Sequence, residues 1–129
     1  MAELYTFDEQ PRIGRGGGIE SVRLTPQPLA DQSFVMGLTT FPAGASIPLH
    51  SHNCIEQVTV LSGEGTAEIN GDLRRAVPYD TTLIGPGEVH RFLNTGDAPL
   101  TILWVYGSTH VTRTFAETGE TVDQFASPH

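Results

Sequence analysis

Lysine is absent from this chain, and all seven basic residues are arginine. Without an ε-amine, Schiff-base and pyridoxal-type chemistry has no nucleophile to begin from. There is a single cysteine, Cys54, so no disulfide closes within the chain and burial alone must hold the core together. No run of about 18 apolar residues occurs and no apolar export-signal stretch lies near Met1, so the expectation is a cytoplasmic chain without membrane contact. Fifteen acidic side chains against seven basic ones give a formal net charge of -8, which repels a phosphate backbone. That balance argues against nucleic acid and for a small-molecule or protein partner. A G-x-S-x-G elbow is missing and Cys54 lacks an evident His-Asn partnership, which leaves nucleophilic hydrolysis unsupported. Long windows of 3.6-residue periodicity are missing too, so the chain is not built from long helices.

What remains is strand and turn. A length of 129 residues makes one domain, which buries about two-thirds of the surface its unfolded form exposes. Fourteen Gly and nine Pro cut it into short segments rich in Val, Ile, Thr, Phe and Tyr, the pattern of an all-β sandwich or barrel. The expected strands are 33–41, 56–63, 65–69, 81–85, 90–94, 100–106 and 111–115. Asn70-Gly71 tolerates positive φ at both positions and predicts a two-residue hairpin between 65–69 and the DLRRAV segment. GRGGG at 14–18 has neither the spacing nor the Lys-Ser/Thr of a phosphate loop and reads as a flexible or bulged lead-in to the strand IESVRL. The last thirteen residues, ETGETVDQFASPH, are expected to turn at Thr118-Gly119 and then fray, unless a partner subunit covers them.

Within GASIPLHSHNCIEQVTVLSG (44–63), His50 and His52 stand two apart. On a strand that spacing puts both imidazoles on one face, about 6.6 Å apart. If the strand ran straight on, Glu56 would stand about 13 Å beyond His52. A tight connection at Asn53-Cys54 that folds the next strand back antiparallel would instead bring Glu56 alongside. His90 opens a later apolar strand after a Pro-Gly turn. Three imidazoles and one carboxylate form a mixed N/O donor set suited to Fe, Mn, Co, Ni or Zn, while the thiolate sets of structural zinc are missing. Four protein donors around an octahedral ion leave two neighbouring positions for water, dioxygen or a bidentate substrate. A His-x-His pair alone also arises where strand histidines are satisfied core residues.

These residues resemble the cupin superfamily, in particular its small single-domain metal-binding members of the cupin 2 type. The family's first motif, G-x5-H-x-H-x3,4-E-x6-G, is matched without departure by Gly44, His50, His52, Glu56 and Gly63. The second, G-x5-P-x-G-x2-H-x3-N, is matched by Gly87, His90 and Asn94. Tyr79 stands where its first Gly belongs, Gly85 where its Pro belongs, and Pro86 follows one position late; these departures concern turns. The resemblance implies a single jelly-roll β-barrel domain over 1–129, its barrel region spanning about 35–106. It also implies one divalent transition metal per chain, held by His50, His52, Glu56 and His90. Small cupins commonly associate through their sheets, and edge strands such as VTRTF (111–115) gain by being covered, so a homodimer is expected.

Phe92 shares strand parity with His90, and Trp104 shares parity with Tyr106, so these three either line a substrate pocket or pack the core. Cys54 reads as an inert turn thiol, Arg91 and Arg113 as exposed edge charge, and His110 and His129 as surface residues. The functional expectation that comes first is a dioxygenase-type oxidoreductase acting on a small oxygen-bearing metabolite. The same site used as a Lewis acid gives a lyase, decarboxylase or isomerase. A third reading is a cupin that binds a small molecule without converting it.

Overall fold

A computed structural model describes residues 2–26 and 28–125 of the chain. Its strands are β1 (Arg12–Gly16), β2 (Ile19–Arg23), β3 (Val35–Phe41), β4 (His50–His52), β5 (Glu56–Ser62), β6 (Gly65–Ile69), β7 (Asp72–Ala76), β8 (Thr81–Ile84), β9 (His90–Leu93), β10 (Leu100–Tyr106), β11 (Thr112–Phe115) and β12 (Thr121–Asp123). The helical content of the described residues is one 3-10 turn at Phe7–Glu9. Two antiparallel six-stranded sheets result, one ordered β1-β2-β3-β10-β5-β8 and the other β12-β11-β4-β9-β6-β7. From β3 to β6, and again from β7 to β11, each successive strand crosses to the opposite sheet, which gives a jelly roll. No helix of the described residues is long and apolar enough to cross a membrane.

The period-2 pattern decides which faces meet. β3 and β10 each bury every second residue, and their register sets Phe41 opposite Leu100, Gly37 opposite Trp104 and Val35 opposite Tyr106. The indole of Trp104 occupies the space a side chain at Gly37 would need, for a Cβ there would sit 2.3 Å from the ring. Val58, Val60 and Ile84 from the same sheet meet Ala67 and Phe92 from the other, with Val111 just before β11, in one core. The expected strands at 65–69 and 100–106 are observed at those bounds, and the remaining five are shorter by one or two residues at an end. Asn70-Gly71 makes the hairpin of β6 and β7, with φ of 53° and 85° at its two residues.

Of the two readings of the GRGGG stretch, the bulged one is observed: its first part belongs to β1, a strand with its own register to β2 and a bulge between Gly14 and Gly16. Two other expectations are corrected. The tail does not fray after Thr118-Gly119, because β12 pairs with β11 through Thr114 and Thr121. The ring of Phe125 then packs 5.9 Å from that of Trp104. Only residues 126–129, His129 among them, lie outside the described part of that tail. It follows that β11, the VTRTF strand, is not an edge, since β12 covers it from the same chain.

The turn departures have local causes. Tyr79 takes φ 75°, the left-handed conformation in which the motif places glycine. Its amide donates to Val60 O at 2.7 Å, while its ring stands in solvent, so a side chain is accommodated at a cost in backbone strain alone. At 85–88 the turn is closed by Glu88, whose carboxylate accepts from the Gly85 amide at 2.6 Å and from Asn70 Nδ2 at 2.7 Å.

Candidate metal centre

His50 and His52 leave β4 on its buried face, and His90 stands opposite His50 in the neighbouring strand β9. Glu56 arrives by a route the sequence reading did not foresee. The chain turns at Asn53-Cys54, but β5 does not fold back beside β4; it crosses to the facing sheet, between β10 and β8. The carboxylate therefore meets the imidazoles across the interior, and Tyr106 is its cross-strand neighbour. All four residues are at most 5% exposed.

Each imidazole is fixed by its other nitrogen. Nδ1 lies 2.8 Å from Pro48 O in His50, 3.0 Å from Thr112 O in His52 and 2.9 Å from Glu88 O in His90. A carbonyl only accepts, so each Nδ1 carries the proton and donates it, which leaves Nε2 of every ring with a free lone pair. The three rings offer donor atoms within 4.8 Å of one another. Glu56 Oε1 lies 2.9 Å from His90 Nε2 and 3.6 Å from His52 Nε2. The shorter contact lacks hydrogen-bond geometry, and Oε1 is left as a buried acceptor without a hydrogen bond. Atoms that crowd together and do not bond one another are the arrangement a shared cation would satisfy. The three buried histidines could bind a metal ion.

The three imidazoles differ in proton affinity. Burial, reinforced by His90 and His52, pushes His50 down to about 2, so it is neutral throughout the physiological range. Burial also lowers His52 against the pull of Glu56. For His90 burial acts downward, but the Glu56 carboxylate beside it outweighs burial and the net shift is upward. The Tyr106 hydroxyl, 3.5 Å from His52 Nε2, is raised well above the usual phenol range, first by burial and then by the Glu56 charge.

A cavity of about 40 Å³ adjoins the cluster, lined by Phe92, Trp104 and Tyr106 together with His50, Glu56 and His90. The three aromatic candidates thus serve as core residues and as cavity wall at once. A larger hollow of about 950 Å³ lies between β7 and β8 and shares no lining residue with the histidine cavity. Cys54 is buried, and burial raises its thiol above the usual range. His110 is exposed, as expected. Arg91 is half-buried on Glu68, with Nε 2.8 Å from Oε1.

Arg113 is not exposed edge charge: it is 4% exposed and lines the cavity. It shares parity with Val111, a core residue, and that parity was the available signal. Arg15, Ser21, Thr39 and Gln124 also line the cavity, and no pattern around them in the sequence announces it. Asn94, the last motif residue, ties down the following loop: its Nδ2 donates to Phe41 O and Ala98 O, and its Oδ1 accepts from the Gly96 amide.

A two-sheet jelly roll with three histidines converging inside it defines a class of small β-barrel protein. A family model described as Cupin domain matches residues 37–106, more than half the chain, and the protein belongs to the cupin family. No curated protein matches its sequence. Among solved structures, it is similar to a cupin-superfamily sugar phosphate isomerase from Silicibacter pomeroyi, with 24% identity, coverage of 99% of this chain and 96% of that one, and a TM-score of 0.73. A polyketide cyclase from Streptomyces resistomycificus is 19% identical over 98% of this chain and 88% of the other, at a TM-score of 0.73. A variant of oxalate decarboxylase from Bacillus subtilis is 23% identical over 87% of this chain and 31% of that longer one, at 0.74. Likenesses at these identities establish the fold.

Proposed function

We propose that the protein is a metal-dependent enzyme in which His50, His52, Glu56 and His90 hold one divalent transition metal ion per chain, and that it acts on a small oxygen-bearing metabolite. The observation that carries this reading is the convergence of three imidazoles, each locked through Nδ1, on the unsatisfied Oε1 of Glu56. An ion of Fe, Mn, Ni, Co or Zn there supplies Lewis acidity and, if redox-active, a position for dioxygen. The chain's own groups supply the rest. Tyr106 keeps its proton beside Glu56 and His52, so it can donate a hydrogen bond to an oxygen on which charge develops. Phe92 and Trp104 close the wall with apolar surface, which keeps bulk water from competing for that bond.

The fixed proton donor favours the Lewis-acid reading: isomerase, lyase or decarboxylase. The names of the similar folds, an isomerase, a cyclase and a decarboxylase, are in keeping with it. The dioxygenase-type oxidoreductase is the second reading, supported by the imidazole-rich donor set suited to iron. A thermal-shift screen of diketones, keto acids, phenolic acids and sugars on the metal-loaded protein, followed by product analysis of each hit with and without oxygen, separates them. Conversion is expected to proceed at the same rate in a glove box. Turnover that stops without oxygen and consumes it stoichiometrically in air overturns the Lewis-acid reading, and ligands recovered unaltered overturn both.

A homodimer is the proposed assembly. The support for it moves from β11 to the sheet edges β7 and β8, where Leu73 and Leu83 are 64% and 63% exposed and a second copy would cover them. Light scattering on a sizing column at tens of micromolar protein is expected to give twice the chain mass of 13.9 kDa. A monomer mass refutes the assembly.

A further inference from the structure

Arg113 carries a buried charge with nothing among the described residues to balance it. Its strand position is opposite His52, it is 4% exposed, and its Nε and Nη2 are buried with no hydrogen-bond partner. Its ring contact with Phe115, at 5.2 Å, offers a π face and no acceptor. Nε–H and Nη2–H point the same way from a guanidinium and form its side-on fork, the edge that binds a carboxylate through two parallel hydrogen bonds. The atoms left unsatisfied are therefore the pair that makes one specific recognition.

The surroundings point the same way. Arg15 reaches the same cavity from the facing sheet, positioned by a chain of hydroxyls: its Nε donates to Ser21 Oγ at 3.3 Å, Ser21 and Thr39 share a hydrogen bond of 2.7 Å, and Trp104 Nε1 donates to Thr39 at 2.8 Å. Glu56 is the one acidic residue in the described lining, and it is turned toward the histidines. Two guanidiniums face one committed carboxylate. Burial first, and the Arg15 charge second, lower Arg113 to about 10, which still leaves it cationic. A buried cation without a counter-charge is costly in the empty protein and becomes favourable when an anion arrives.

We propose that Arg113, assisted by Arg15, forms an anion subsite in the histidine-lined cavity and that it takes the carboxylate of a small organic acid. The inference rests on the reading of this cavity as a substrate site and adds the substrate class: a short-chain carboxylic acid whose acid group docks on the Arg113 fork while another oxygen faces the histidine cluster. About 40 Å³ accommodates a group of that size.

Trp104 is the single tryptophan of the chain and lines the cavity, so its fluorescence reports binding directly. Formate, acetate, glycolate and pyruvate are titrated into wild type, Arg113→Met and Arg113→Lys, each metal-free and Mn²⁺-loaded, with pyruvamide as the neutral counterpart of pyruvate. At least one carboxylate is expected to perturb the wild-type signal, and pyruvate to bind at least tenfold more tightly than pyruvamide. Arg113→Met is expected to lose at least tenfold of carboxylate affinity with pyruvamide unaffected and metal content unchanged, and Arg113→Lys to recover part of it. Arg113→Met is also expected to melt higher than wild type without ligand, since it removes an uncompensated charge; a purely structural arginine gives the opposite sign. No response to any of the four acids in wild type, or carboxylate affinity unchanged in Arg113→Met, overturns the subsite. The metal assignment fails separately: a wild-type chain without bound metal that still answers to carboxylates through Arg113 retains the subsite and loses the metal.

Discussion

Replacing His50 and His52 together by Ala is expected to take the bound metal from one ion per chain to less than a tenth of that after dialysis against chelator. The two rings supply half the proposed donor set, and the pair His90 and Glu56 that remains, on opposite sheets, makes a two-point contact open to water. Metal analysis measures the loss, and far-UV circular dichroism separates it from unfolding. Added Mn²⁺ or Zn²⁺ gives a second reading. At a free concentration a hundred times the dissociation constant it should stabilise wild type by about 2.7 kcal/mol, and it should leave the melting temperature of the double variant unmoved. Full metal content in the double variant would mean that the ion sits elsewhere. Acidification is expected to expel the metal through His90 before His50. A group whose proton affinity is raised in the folded chain takes a proton at higher pH, and His90 is raised while His50 is lowered to about 2; each bound proton blocks a donor lone pair.

The second large effect concerns stability. Gly44 and Gly63, the first and last residues of the first motif, share φ 78°, yet their surroundings differ. A Cβ at Gly44 meets nothing within 4 Å, whereas one at Gly63 would sit 2.2 Å from Pro99 O, closer than any real contact. Gly44→Ala should therefore cost only the backbone strain, about 1 kcal/mol. Gly63→Ala must also displace the backbone at Pro99-Leu100, where β10 begins, and should cost about 3 kcal/mol or more. For a chain of this size that lowers the melting temperature by about 10 °C, against a few degrees for Gly44→Ala. Equal shifts in the two variants would show that the strand start yields freely, and the packing argument at Gly63 would fail.

The strands were legible because most of them alternate cleanly. LTILWVY (100–106) buries residues of one parity, and both turn residues of Asn70-Gly71 announce their hairpin. The histidines were legible for the same reason, since a spacing of two on a strand is a statement about a shared face. Glu56 was placed near them for a partly wrong reason. Sequence shows that a chain must turn between His52 and Glu56, but a turn into the neighbouring strand and a turn into the facing sheet have the same local chemistry at Asn53-Cys54. Arg113 was misread because a charged residue in TRTF is ordinarily a solvated one. Its burial depends on β12, more distant contacts and a pairing with β4 that no local pattern encodes. Tyr79 shows the converse: the residue type departs from the motif while the backbone conformation is kept.

The matched family region, 37–106, contains all four proposed ligands. Arg15, Ser21, Arg113 and Gln124, which also line the cavity, lie outside it, on the first two strands, on β11 and just beyond β12. The two ends of the chain thus close over one interior from opposite sheets. On the proposed reading, the metal ligands lie inside the matched region and the two arginines of the anion subsite lie outside it. An exchange of the terminal strands can change the charge and shape that an incoming molecule meets without altering the sequence that bears the imidazoles. For engineering, the ends are the place to change which molecule is accepted, and a barrel trimmed to its family bounds would have lost part of its means of choosing.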